Sequence, residues 1–110
     1  MSDMYPPNVG KTIQALLTHS AVTSPEIRQS IFTRTIQLTE GVQPAEVIPD
    51  ELISFVDKII FEAYRITDED VHLLKNSGYT EDQIFEITLC AALGAGVTRI
   101  EKGLSALRGI

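Results

Sequence analysis

Several stretches of this sequence hold residue types that do chemistry, at spacings that chemistry uses. Asp68, Glu69, Asp70 and His72 stand together, and Glu69-x-x-His72 has the spacing with which di-iron helical bundles hold a metal. Such centres need a second Glu-x-x-His pair and further carboxylates, and the chain has no second pair. The same acids fit the first turn of a helix, where the positive end of the dipole favours carboxylates, so no metal site is expected. Asn8-Val9-Gly10-Lys11-Thr12 ends like a phosphate-binding loop, but Tyr5 stands where that loop needs its first glycine, and no strand-like run precedes it. Gly94-Ala95-Gly96 is followed by Arg99 where a dinucleotide fingerprint needs its third glycine. It also lies within a helical pattern, so close packing is the better account and no cofactor is expected. Cys90 is the only cysteine, which excludes an internal disulfide and a Cys-x-x-Cys site. A reactive thiolate needs a helix N-terminus or a cationic neighbour, and Cys90 has neither in sequence. It reads as a buried structural thiol. His19 and His72 are each isolated histidines, far apart in sequence.

The elements that must position these residues are helical. Residues 1–8, with Pro6-Pro7, read as an N-terminal arm, and residues 9–110 as a single helical domain. A first helix is expected from about Val9 to His19. Ser24-Pro25-Glu26 opens a second, with serine as the cap, proline at the first helical position and an acid in the first turn. Ile27, Ile31 and Leu38, flanked by Phe32 and Ile36, recur at helical spacing until Gly41 stops it. Pro49-Asp50-Glu51 opens a third, whose stripe is Leu52, Val56, Ile59 and Ala63, widened by Ile53 and Ile60. Thr67 to Asp70 reads as a capping box with Ile66 and Val71 as its hydrophobic staple. Thr80 to Gln83 repeats the box with Tyr79 and Ile84, and Gly78 fits the left-handed position that ends the helix between them. The last helix is expected from about Glu81 to Leu107. Between Ile84 and Val97 its only polar side chains are Glu86 and Thr88, a pattern that predicts burial on all sides. Ala91, Ala92, Gly94, Ala95 and Gly96 would let other backbones approach, and a domain this small would need other subunits to surround such a helix.

Composition narrows the classes of function. The 110 residues are 44% apolar and 22% charged, as in globular proteins, and carry a net charge of -6 with a pI of about 4.7. That acidity argues against nucleic acid, which needs a basic patch, and against an anionic membrane surface. The N-terminus lacks the basic and apolar regions of a signal peptide, and the run Leu89 to Val97 is shorter than the ~20 residues of a membrane span. A soluble, cytoplasmic protein is expected.

The segments Ala63 to Val71, Leu74 to Glu86 and Ala91 to Gly96 resemble the carboxymuconolactone decarboxylase family, within the alkylhydroperoxidase D-like fold. The resemblance is strongest from Ile48 to Leu107, with a weaker echo from Thr23 to Phe32. Its specific parts are the turn from Gly78 to Ile84 and the alanine- and glycine-rich helix. It implies an all-α, alkylhydroperoxidase D-like subunit that assembles as a homo-oligomer, a trimer or hexamer. It also implies small-molecule pockets between helices, near subunit contacts.

The peroxidase branch of that family carries a glutamate, a Cys-x-x-Cys pair and a histidine upstream of the turn glycine. Anchored on Gly78, those positions fall on Glu51, Ala63, Ile66 and Asp70. The glutamate is kept, while both cysteines and the histidine are replaced. A thiol peroxidase needs a thiolate nucleophile and a resolving thiol, so the resemblance here implies a non-redox oligomer of unassigned role, either binding a small molecule or serving as an accessory subunit. The alternative is an acid–base enzyme of the decarboxylase or lactone type acting on a small organic acid, for which Glu51, Tyr64 and Asp70 are the catalytic candidates. Their plainer readings are two first-turn acids and an amphipathic tyrosine at a helix end.

Overall fold

The computed structural model describes residues 22–45 and 47–109, together with Lys11, Gln14 and Ala15. The expected arm over residues 1–8, Gly10 and Thr12 of the phosphate-loop match, and His19 lie outside them, as does most of the expected first helix, of which Lys11, Gln14 and Ala15 are helical. The described elements are α1 (Pro25–Thr39), α2 (Asp50–Phe61), a short 3-10 turn (Ala63–Arg65), α3 (Asp68–Asn76) and α4 (Glu81–Leu107). No strand occurs among the described residues, and the chain is all-helical there.

Local chemistry sets the ends of these helices. Ser24 caps α1 by accepting a hydrogen bond from the Ile27 amide. At the other end Gly41 adopts φ 76°, and the amides of Gly41 and Val42 donate to the carbonyls of Leu38 and Gln37, closing a Schellman turn. Gly78, at φ 102°, does the same for α3, with Gly78 and Tyr79 donating to Lys75 and Leu74. Both capping boxes form as their spacing predicts, Thr67 with Asp70 and Thr80 with Gln83. One boundary differs from expectation. The stripe of α2 stops at Ile60, because the helix ends at Phe61 and Ala63 falls in the exposed 3-10 turn. Arg99 of α4 donates to the Ile60 carbonyl at 3.1 Å, satisfying one of the carbonyls that this helix end leaves open.

The main core cluster buries Ile31, Leu52, Val56, Ile59, Ile60, Leu74, Ile84, Ile87, Cys90 and Ala91, and a smaller one joins Phe32 of α1 to Val97 of α4. α4 is the element around which the others pack: α1 lies along it, α2 covers a second side, and α3 closes the end near its start. The order of contacts, Arg28 near Glu86 and Cys90, then Thr35 on Gly94, means that α1 and α4 run in the same direction. Gly94 permits that approach, since a Cβ there would stand 2.8 Å from Thr35 Cβ and 3.1 Å from the Phe32 carbonyl oxygen. A second stripe on α1, formed by Arg28, Phe32 and Thr35, faces this contact and is buried. Arg34 ties α1 to α2 through Asp57, with both nitrogen–oxygen distances 3.3 Å.

Burial on all sides of α4 is the expectation that fails in the single subunit. Phe85, Leu89, Ala92, Ile100, Gly103 and Leu107 are exposed, because the three neighbouring helices among the described residues cover only part of the circumference of a 27-residue helix. By length and composition α4 would also suffice to cross a membrane, although one of its sides forms the core described above.

Candidate functional site

The positions implied by the family resemblance are held by α2, the 3-10 turn and the start of α3. Glu51, in the first turn of α2, accepts a hydrogen bond of 2.7 Å from the Tyr79 hydroxyl, which the turn after Gly78 brings across. That bond holds the Glu51 carboxyl below its usual range. Burial, and then the Glu51 carboxylate, push the Tyr79 phenol up to about 12. Two turns further along α2, Lys58 donates to both oxygens of Asp70, in the first turn of α3, at 2.8 and 3.0 Å. The Asp70 pKa is lowered first by Lys58 and then by the Thr67 amide, which Asp70 caps at 2.9 Å. Glu51 and Lys58 are seven residues apart, so the two polar pairs share one side of α2 about 10 Å apart along its axis. Tyr64 is 85% exposed in the 3-10 turn and joins neither pair.

Glu51, Tyr64 and Asp70 therefore do not converge on one point in the subunit. Glu51 and Tyr79 make an ionised acceptor and a firmly protonated donor, neither poised to exchange a proton near neutral pH. Both acids already serve local structure, Asp70 as a cap and ion-pair partner, Glu51 as the anchor for the turn. Tyr79 is the residue here that the sequence signalled only as part of a hydrophobic staple.

A second, half-buried polar cluster lies between the start of α1 and α4, and sequence reading missed it. The Glu86 carboxylate accepts hydrogen bonds from the amides of Val22 and Thr23, at 3.1 and 3.0 Å, and from the Thr23 hydroxyl. Burial would raise the Glu86 pKa, but these bonds and the charge of Arg28 outweigh it and leave it lowered. Arg28 is only 1% exposed, and Cys90 is fully buried beside it. The signal was present: Arg28, Phe32 and Thr35 recur at i, i+4, i+7, which places Arg28 on a core-facing stripe. The expectation that Cys90 lacks a cationic neighbour holds in sequence only, because folding brings Arg28 to it. Even so, burial dominates, Glu86 adds to it, and the thiol is pushed up to about 11. A thiol so held is not a nucleophile at neutral pH.

An open groove of about 310 Å³ lies where α1 ends against the last turns of α4, lined by Glu40, Thr98, Glu101, Lys102, Ser105 and Ala106. Its lining is polar and mixed in charge. His72 is exposed on α3, and among the described residues no three histidine, cysteine or acidic side chains come together to hold a metal.

No protein-family model matches the chain, and no solved structure matches it. A 56-residue stretch is 36% identical to the phosphatidylserine decarboxylase proenzyme of Halalkalibacterium halodurans. The match covers 51% of this chain and 21% of that protein, so the chain spans about a fifth of the length of the curated relative it matches.

Proposed function

We propose that this protein is a non-redox, carboxymuconolactone decarboxylase-like subunit of alkylhydroperoxidase D-like type, a cytoplasmic homo-oligomer that binds a small molecule. The observation that carries the non-redox part is the state of its one thiol. Cys90 is fully buried and held protonated, while Ala63 and Ile66 occupy the positions of the redox pair. Neither attack on a peroxide nor resolution by a second thiol is open to such a chain. Homo-oligomerisation is supported by the apolar side of α4 left uncovered in the subunit. A ligand site near subunit contacts is supported by the polar pairs on α2 and the groove at Glu40, both at the surface.

The acid–base enzyme reading draws less from the geometry, since Tyr64 stands apart and Asp70 is engaged by Lys58 and Thr67. The relative's decarboxylase name adds little to it, the shared stretch being a fifth of that protein. Hydroperoxide consumption with a dithiol donor tests the proposal: the expected result is a rate indistinguishable from buffer. Turnover that Cys90→Ser abolishes would overturn it. A thermal-shift panel of small carboxylic acids and lactones tests ligand binding, with a shift that Glu51→Gln or Glu40→Gln removes as the supporting outcome.

A further inference from the structure

Along the uncovered side of α4 run Phe85, Leu89, Ala92, Gly96, Ile100, Gly103 and Leu107, at successive spacings of three or four residues. Phe85 is 63% exposed and Leu107 82%, with Leu89 and Ile100 between them also exposed. The two glycines on this side have no packing partner among the described residues. A Cβ at Gly96 or Gly103 would meet nothing within 4 Å, in contrast to Gly94, whose missing side chain admits α1.

The order of sizes along the stripe is self-complementary when it is read against itself in reverse. With Gly96 at the centre, Ala92 falls opposite Ile100, Leu89 opposite Gly103 and Phe85 opposite Leu107. Ile100 and Leu89 therefore each meet a small residue, Phe85 and Leu107 face each other as an apolar pair at each rim, and two glycines meet where two helix axes would pass closest. The charges agree. Glu81 and Asp82 begin the helix and Arg108 follows its end, so an antiparallel pair sets acids against a cation at both rims. It also opposes the two helix dipoles.

We infer that a second copy of this chain docks on this side, α4 against α4, antiparallel about a two-fold axis at Gly96. The inference rests on the proposed homo-oligomer and specifies its contact. Such a contact is isologous, so it builds a dimer, or a hexamer as three dimers, and it is absent from a simple closed trimer.

The full chain with Gly96→Cys, mildly oxidised, provides one test. Only residues at the axis meet their own copies, so this variant should convert to a disulfide-linked dimer, while Glu26→Cys, on the exposed side of α1, should not. The buried Cys90 stays out of the reaction. Light scattering provides a second test: Gly96→Leu, which has open space in the subunit and should keep the helical circular dichroism, should weaken association at least tenfold. A wild-type monomer would overturn both this contact and the homo-oligomer reading. A closed trimer, or an assembly indifferent to Gly96→Leu with equal crosslinking at both cysteines, would overturn the contact alone. Flotation of a wild-type monomer with phosphatidylcholine vesicles would assign the stripe to lipid and overturn it as well.

Discussion

Tyr79 shows how one side chain ties the candidate site together at the residue scale. Its ring packs against the core while its hydroxyl reaches Glu51, so the turn after α3 is pinned to the start of α2. In Tyr79→Phe the Glu51 carboxyl loses its donor, and its pKa, followed by NMR titration, should rise toward the ordinary glutamate value. Lys58→Ala should do the same for Asp70. Both carboxyls, with those of Glu81 and Glu86, are held below their usual values in the fold. A depressed native pKa means that the unfolded chain binds protons more readily. The stabilisation is therefore complete above the ordinary carboxylate range and is lost as pH falls through the folded-state values. Denaturation midpoints should accordingly be flat from neutral pH down to about 5, then drop in acid. Thr80→Ala removes the acceptor for the Gln83 amide and should lower unfolding stability by about 1 kcal/mol, read from urea melts.

At the scale of elements, α4 carries two glycines two residues apart with opposite roles. Gly94→Ala would drive a methyl group to within 2.8–2.9 Å of the Thr35 side chain and against the α1 backbone. Two packed helices would have to separate, so a loss of about 1–3 kcal/mol is expected. Gly96→Ala meets no atom of its own subunit and removes a poor helix former. The isolated subunit should gain up to about 1 kcal/mol in helix stability, while self-association weakens. Chemical denaturation at several protein concentrations separates the two effects. Gly78 is a third case, decided by the backbone: at φ 102° it closes the Schellman turn that carries Tyr79. Gly78→Ala should destabilise the fold by about 1 kcal/mol or more and loosen the Tyr79–Glu51 bond with it.

At the scale of the whole molecule, the described helices wrap one long helix on one side, and that arrangement governs both the stability and the exposed apolar surface. Leu52, Val56 and Ile31 are completely buried where α1, α2 and α4 meet. Leu52→Ala should cost about 2–5 kcal/mol, a large part of the stability of a domain this size, measured as an earlier denaturation midpoint. The opposite side of α4 has no partner among the described residues. The three described helices around it are shorter than its 27 residues, and an apolar flank is left on the side away from them. Chemistry at the scale of the molecule follows from the same burial, because the one thiol lies in the interior and both acidic pairs at the surface.

Helix identity and helix ends were legible in the sequence because capping boxes, staples and glycine stops act over a few residues. Thr67 with Asp70, Thr80 with Gln83, and Gly78 with Tyr79 each need only neighbours along the chain, and all form as their spacing requires. The stripe of α2 was legible for the same reason, apart from its end, where Ala63 continues the apolar rhythm although the helix has stopped. Contacts between elements were decided only by the tertiary structure. Nothing local brings Arg28 to Cys90, places Tyr79 on Glu51 or leaves Tyr64 apart from Asp70. The apolar run of α4 likewise does not say which sides its own chain will cover. Periodicity records which side chains avoid water, and packing decides what stands in the water's place.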